Sequence, residues 1–137
     1  MKSQEVLKVA KIMNEYLGAD KVVFDEKLAA STLQLKANHN REDKFKILEQ
    51  RIMYQRAEYQ NEFQKYAVSK ALSMMEQELI LAGLETDYEM FRMYFLEKLE
   101  QYQIAQRFDY STAPVSKRIR YCSRLFLSYW EVCVAIA

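Results

Sequence analysis

Residues 41–81, REDKFKILEQRIMYQRAEYQNEFQKYAVSKALSMMEQELIL, run on without a proline, a glycine or a convincing turn. Nothing inside the stretch punctuates a helix, whereas both of its flanks do. Asn40 offers a side-chain oxygen to the first free backbone N–H groups, and Glu42 and Asp43 are well placed in the first turn. Gly83 supplies the stop. As one straight rod this helix is about 60 Å long, whereas a compact chain of this size has a radius of gyration near ~14 Å. It therefore has to bend, break, or have its protruding part covered by something else. The apolar pattern marks the place. At ~100° per residue, Phe45, Leu48, Ile52, Tyr59, Phe63 and Tyr66 fall within about 60° of one another. Beyond Ala67 the set becomes Val68, Ala71, Leu72, Met74, Met75 and Leu79, and its centre rotates by roughly 100–130°. A kink or a change of packing partner is expected between Ala67 and Lys70.

The flanking sequence is helical as well. Val6, Val9, Met13 and Leu17 recur at helical spacing over Gln4 to Leu17, and Gly18 ends the run. Ala19 to Phe24 is ambiguous, because Val22-Val23-Phe24 suits either a short extended piece or a helix start. Asp25 is the expected N-cap of a helix over Glu26 to Lys36, with Leu28, Ser31, Thr32 and Leu35 on one face. Asn38-His39-Asn40 reads as a loop. Downstream, Thr86-Asp87-Tyr88-Glu89 is a capping box that predicts a helix from Asp87 to about Phe108, carrying Tyr88, Phe91, Phe95, Leu99 and Tyr102. Ser111-Thr112-Ala113-Pro114 then separates it from a final helix over Val115 to Ile136. Val115, Ile119, Cys122, Phe126, Tyr129, Trp130 and Cys133 form its main face, and beyond Leu125 it is apolar nearly all round, which predicts a buried C-terminal helix. The expected architecture is a single all-α domain over residues 1–137, a bundle of four to five helices with one long central helix.

Composition agrees and excludes a good deal. The chain has 137 residues, a formal charge of +1, and 50% hydrophobic against 28% charged residues, which argues against disorder. Two glycines and one proline leave little turn chemistry for a many-stranded fold. Cys122 and Cys133, on one predicted helix, stand roughly 16 Å apart along its axis, far beyond the ~7 Å that a disulfide spans. Reduced thiols and a charged rather than apolar start point to the cytoplasm. The apolar segment Leu125 to Ala137 is shorter than the ~20 residues of a membrane-spanning helix, so no membrane association is expected.

Catalytic chemistry has little to stand on. His39 is the one histidine, it sits in a polar loop, and neither cysteine has a histidine in view to activate it. The pairs Glu58/Glu62 and Glu97/Glu100 read as solvated charges, no Glu-x-x-His pattern suggests a metal, and two glycines cannot make a phosphate loop. No enzyme activity, cofactor or metal is expected. What remains is surface chemistry. Arg51, Tyr54, Arg56, Tyr59, Phe63 and Tyr66 mix the residue types enriched in protein interfaces. They point to a non-catalytic interaction module (an adaptor, inhibitor or assembly subunit) that binds a protein partner and associates with itself. The alternative is nucleic-acid binding through Arg107, Lys117, Arg118, Arg120, Tyr121 and Arg124, a basic stripe opening the last helix. The near-neutral net charge weighs against it.

Overall fold

A computed structural model of the chain describes residues 3–18 and 24–136, and all regular structure among them is helical. The described residues form six helices: α1 Gln4–Gly18, α2 Phe24–Ala37, α3 Arg41–Leu81, α4 Glu85–Phe95, α5 Gln101–Phe108 and α6 Thr112–Ile136. The all-α class and the long α3 agree with expectation, and the helix number exceeds it by one. The ambiguous Val22-Val23 lies outside the described residues, and Asp25 sits in the first turn of α2 rather than at its N-cap.

By compactness the chain divides into two units, one of Met1–Leu17 with Tyr66–Ala137, the other of Gly18–Lys65. The boundary falls within α3, beside the point where its apolar face was expected to change. The buried residues of α3 are Ala67, Val68, Ala71, Leu72, Met75 and Leu79, all beyond Lys65.

In the larger unit these residues share one core with Val9 and Met13 of α1, Met90, Phe91 and Phe95 of α4, Ile104 of α5, and Val115, Ile119, Cys122 and Phe126 of α6. Phe91 is at its centre, 4.8 Å from the Phe95 ring and 5.8 Å from that of Phe126. Full burial of such a side chain contributes about 2–3 kcal/mol. The buried face of α6 is the one the sequence pattern selects, but its C-terminal half is not enclosed all round. Phe126 and Cys133 are buried while Leu125 and Val132 stay exposed.

Helix ends account for the other departures. α3 closes as expected in a Schellman arrangement: Gly83 N–H donates to Ile80 O at 3.0 Å and Leu84 N–H to Leu79 O at 2.8 Å, with Gly83 at φ +75°. α4 then starts at Glu85 with Leu84 as N-cap, so the Thr86/Glu89 box lies inside the helix and does not cap it. The predicted helix over 87–108 is in fact two. Glu97 N–H reaches Arg92 O and Leu99 N–H reaches Met93 O, which turns the chain through Lys98 at φ +60°. The Lys98 ammonium donates to Asn14 Oδ1 of α1. α5 opens with a box of its own, in which the Glu100 side chain accepts from the Gln103 backbone and Gln103 Oε1 from Glu100 N–H at 2.9 Å. The break resets the helical phase, so Leu99 still packs on the core but Tyr102 faces out. Asp109, at φ +57°, ends α5 without a glycine.

Gly83 has open space where a Cβ would stand, so a substitution there meets only the backbone cost of a left-handed conformation. Gly83→Ala is expected to lower stability by about 1–2 kcal/mol. Chemical denaturation of the two proteins side by side checks this; an unchanged midpoint contradicts it.

Candidate functional site

The smaller unit is built differently from the larger. Among its described residues the buried side chain is Ser31, a polar one, at 5% exposure. Asn40 sets the start of α3 as expected, its Oδ1 accepting from Glu42 N–H at 2.9 Å and Asp43 N–H at 3.3 Å. Ser31, Thr32 and Leu28 share a face of α2, and Ser31 Oγ and Thr32 Oγ1 both donate to Leu28 O. Arg51 of α3 drives its guanidinium into this cluster. Its Nη1 donates to Leu28 O at 2.8 Å, Ser31 Oγ at 2.8 Å and Thr32 Oγ1 at 2.7 Å. Tyr54, one turn on, lies under the Lys27 ammonium at 5.5 Å. Two of the six residues expected to meet a partner, Arg51 and Tyr54, are thus engaged with α2.

The other four are placed differently. Tyr59 is 81% exposed, Arg56 and Tyr66 are exposed, and Phe63 is half-buried. Ile47, Arg51, Tyr54 and Glu58 form the half-buried side of α3. About 130° around the helix lie Phe45, Leu48, Ile52 and Tyr59, large apolar side chains that are all exposed. Phe45 and Ile52 are each 55% open to solvent, and the Arg41 guanidinium lies 5.8 Å from the Phe45 ring. Met53 and, on α2, Leu33 add further exposed apolar surface.

The basic stripe of α6 is divided in two by the fold. Lys117, Arg120 and Arg124 surround the half-open ring of Tyr121, at 5.7, 6.0 and 5.8 Å from its centre. Arg118 belongs elsewhere: it stacks 4.7 Å over Tyr110 and pairs with Asp87 at 3.5 Å. Arg107 is exposed on α5. Arg124 also meets Glu5 of α1 at 3.6 Å. The Glu5 carboxyl is held below its ordinary range, first by its own backbone N–H; desolvation opposes this, and Arg124 and Ser3 add to the lowering. Beside this cluster is a cavity of about 580 Å³ lined by Arg120 together with Tyr94, Tyr102 and Ser116. Four helices contribute to it, from stretches far apart in the chain, so nothing in the sequence pattern could have assembled it.

His39 lines an open hollow of about 680 Å³ with Asp43 and Lys46, and no serine, threonine or cysteine lines it. Among the described residues no three potential metal ligands cluster, and no helix is long and apolar enough to cross a membrane. Both thiols are free and buried. Cys133 Sγ lies 3.8 Å from Met74 Sδ, and Cys122 Sγ 3.6 Å from Asp87 O. Burial, reinforced by Asp87, pushes the Cys122 thiol up to about 12. No protein-family model, curated protein or solved structure matches the chain.

Two expectations follow from these placements. Arg51→Ala removes three hydrogen bonds from a charged donor, so α2 should loosen by about 1–2 kcal/mol. Amide exchange in α2 should accelerate roughly tenfold or more while exchange in α6 stays the same; unaltered α2 protection contradicts the pinning role. The Cys122 thiol makes stability fall with rising pH. Above about 8.5 it ionises in the unfolded chain, while the folded protein keeps its proton to about 12. The unfolded state therefore binds fewer protons in that window, and stability drops by up to about 1.4 kcal/mol per pH unit. Cys122→Ala should show a shallower decline between about pH 9 and 11 in denaturant melts, and parallel declines would refute it.

Proposed function

We propose that the protein is a non-catalytic interaction module that acts by binding a protein partner, and that its first partner is a second copy of itself. The observation that carries this is the exposed face of Phe45, Leu48, Ile52 and Tyr59 on a unit whose one buried described side chain is a serine. Two helices without an apolar interior are marginal on their own, and small units of this kind gain stability from association. Scattered apolar side chains are ordinary on a surface, but a file of them along one helix face is what a partner helix recognises.

The spacing favours self-pairing. Phe45, Ile52 and Tyr59 recur every seventh residue, with Leu48 at the complementary position between the first two, as in the seam of a coiled coil. The next complementary positions are Gln55 and Glu62, so the seam is apolar on one set of positions only. Such a seam suits a modest, reversible association rather than an obligate dimer. A second copy brings the same stripe to a two-fold contact without any further species. In this reading Arg51 and Tyr54 act indirectly, by fixing α2 on the far side of α3 and leaving the stripe open.

Light scattering at ~10 µM, a concentration suited to modest affinity, is expected to find a dimer. Replacing Ile52 and Tyr59 together by alanine should weaken association at least about tenfold with helix content by circular dichroism unchanged. A wild-type monomer at that concentration overturns self-association, and wholesale unfolding of the variant would assign the two side chains to the protein's own interior.

A further inference from the structure

The α6 cluster is not accounted for by an interface on α3. Three cations around one half-exposed tyrosine ring is an arrangement with two separable capacities. The cations can meet phosphate oxygens, and an aromatic face can stack on a base. Arg118, which sequence alone places in the same stripe, is removed from it by Asp87 and Tyr110. What is left is a compact group, Lys117, Arg120 and Arg124 about Tyr121, rather than a row of charges along a helix. Arg124 Nε lies 3.6 Å from Glu5 Oε1, so this cation is shared with one carboxylate.

The second observation is the adjoining cavity. Arg120 belongs to both the cluster and the cavity wall, which is also lined by Tyr94, Tyr102, Thr112, Ser116 and Gln101. Aromatic walls with amide and hydroxyl groups are the chemistry that receives an unstacked base and reads its edge. Glu100 also lines it, with its carboxylate committed to the start of α5. A carboxylate there disfavours a phosphate inside the cavity and favours the phosphate outside, on the cationic side. Phosphate and base thus have separate places on either side of Arg120.

We propose that Lys117, Arg120, Tyr121 and Arg124, with the cavity beside Arg120, form a binding site for single-stranded nucleic acid. A single strand fits better than a duplex because both the ring and the cavity act on bases that are free of their partners. Three cations give a short footprint, so affinity is modest and strongly dependent on salt. The log–log salt slope for three phosphate contacts on a single strand is about −2. That corresponds to a roughly twentyfold loss between about 50 and 200 mM salt.

Fluorescence anisotropy with labelled oligo(dT) and oligo(U), a labelled duplex of matched length and a labelled mononucleotide tests the site. The expected result is binding of the oligonucleotides with that salt slope, and at least about tenfold weaker binding of duplex and mononucleotide. Tyr121→Ala should weaken strand binding about tenfold and Tyr121→Phe leave it nearly intact. Lys117→Gln with Arg120→Gln should flatten the salt slope to about −0.7. Arg118→Gln, which alters a cation outside the cluster, should not change the slope. The substituted residues of the cluster are on the surface, so the fold is preserved, and circular dichroism verifies it. No binding to either oligonucleotide at about 50 mM salt overturns the proposal. So does equal affinity for the duplex or mononucleotide, or strand binding that Tyr121→Ala and the double variant leave unchanged. The dimer reading is independent of all these outcomes, since none of the substitutions touches α3.

Discussion

Among the described residues, buried apolar side chains belong to one of the protein's two units, and most of its other features follow from that distribution. Val9, Met13, Met75, Met90, Phe91, Ile104, Ile119 and Phe126 come from five helices into a single core. Burial of apolar area is the dominant favourable contribution to folding, so this core fixes α1, the end of α3, and α4 to α6. The unit of Gly18–Lys65 contains no comparable cluster among its described residues. Its exposed large apolar side chains include Phe45, Leu48, Ile52 and Tyr59 along the outer side of α3.

Arg51 gives α2 a polar link to α3. One guanidinium nitrogen of Arg51 satisfies a carbonyl and two hydroxyls, all within 2.8 Å. Hydrogen bonds from a charged donor are the strong kind, but they are directional and local. They register one helix on another without burying much surface. An apolar α2–α3 seam would have drawn Ile52 or Leu48 inward and closed the outer face. The polar pin leaves that face exposed.

Sequence reading succeeded where one residue determines the local structure. Asn40 could be read as a cap because its side chain alone makes the bonds, and Gly83 as a stop because its conformation suits glycine. The α6 core face was visible in the spacing of Val115, Ile119, Cys122 and Phe126. It failed where tertiary packing overrides local preference. Lys98 adopts a left-handed backbone conformation with no glycine to announce it, so one predicted helix became two. Thr86 and Glu89 have the sequence of a capping box, yet the Gly83 turn places the helix start two residues earlier. Arg51 looked like a surface hot spot because its partners, on α2, are distant in sequence. Two of the six residues expected on the partner face of α3, Arg51 and Tyr54, therefore make internal contacts, and the exposed stripe beside them includes the aliphatic Leu48 and Ile52.

The same logic explains how one helix can carry a core face and a charged face without conflict. α6 is anchored by residues that face the core at every turn from Val115 to Phe126. Once that face is fixed, Lys117, Arg120, Tyr121 and Arg124 are held on the outside by the helix geometry, and their mutual distances follow from spacing alone. What spacing cannot specify is which charges remain available. That is decided by carboxylates from other helices, with Asp87 of α4 taking Arg118 and Glu5 of α1 sharing Arg124. The patch is thus a residue of tertiary pairing. A stripe of similar composition on a helix without those two carboxylates would be longer and more diffuse.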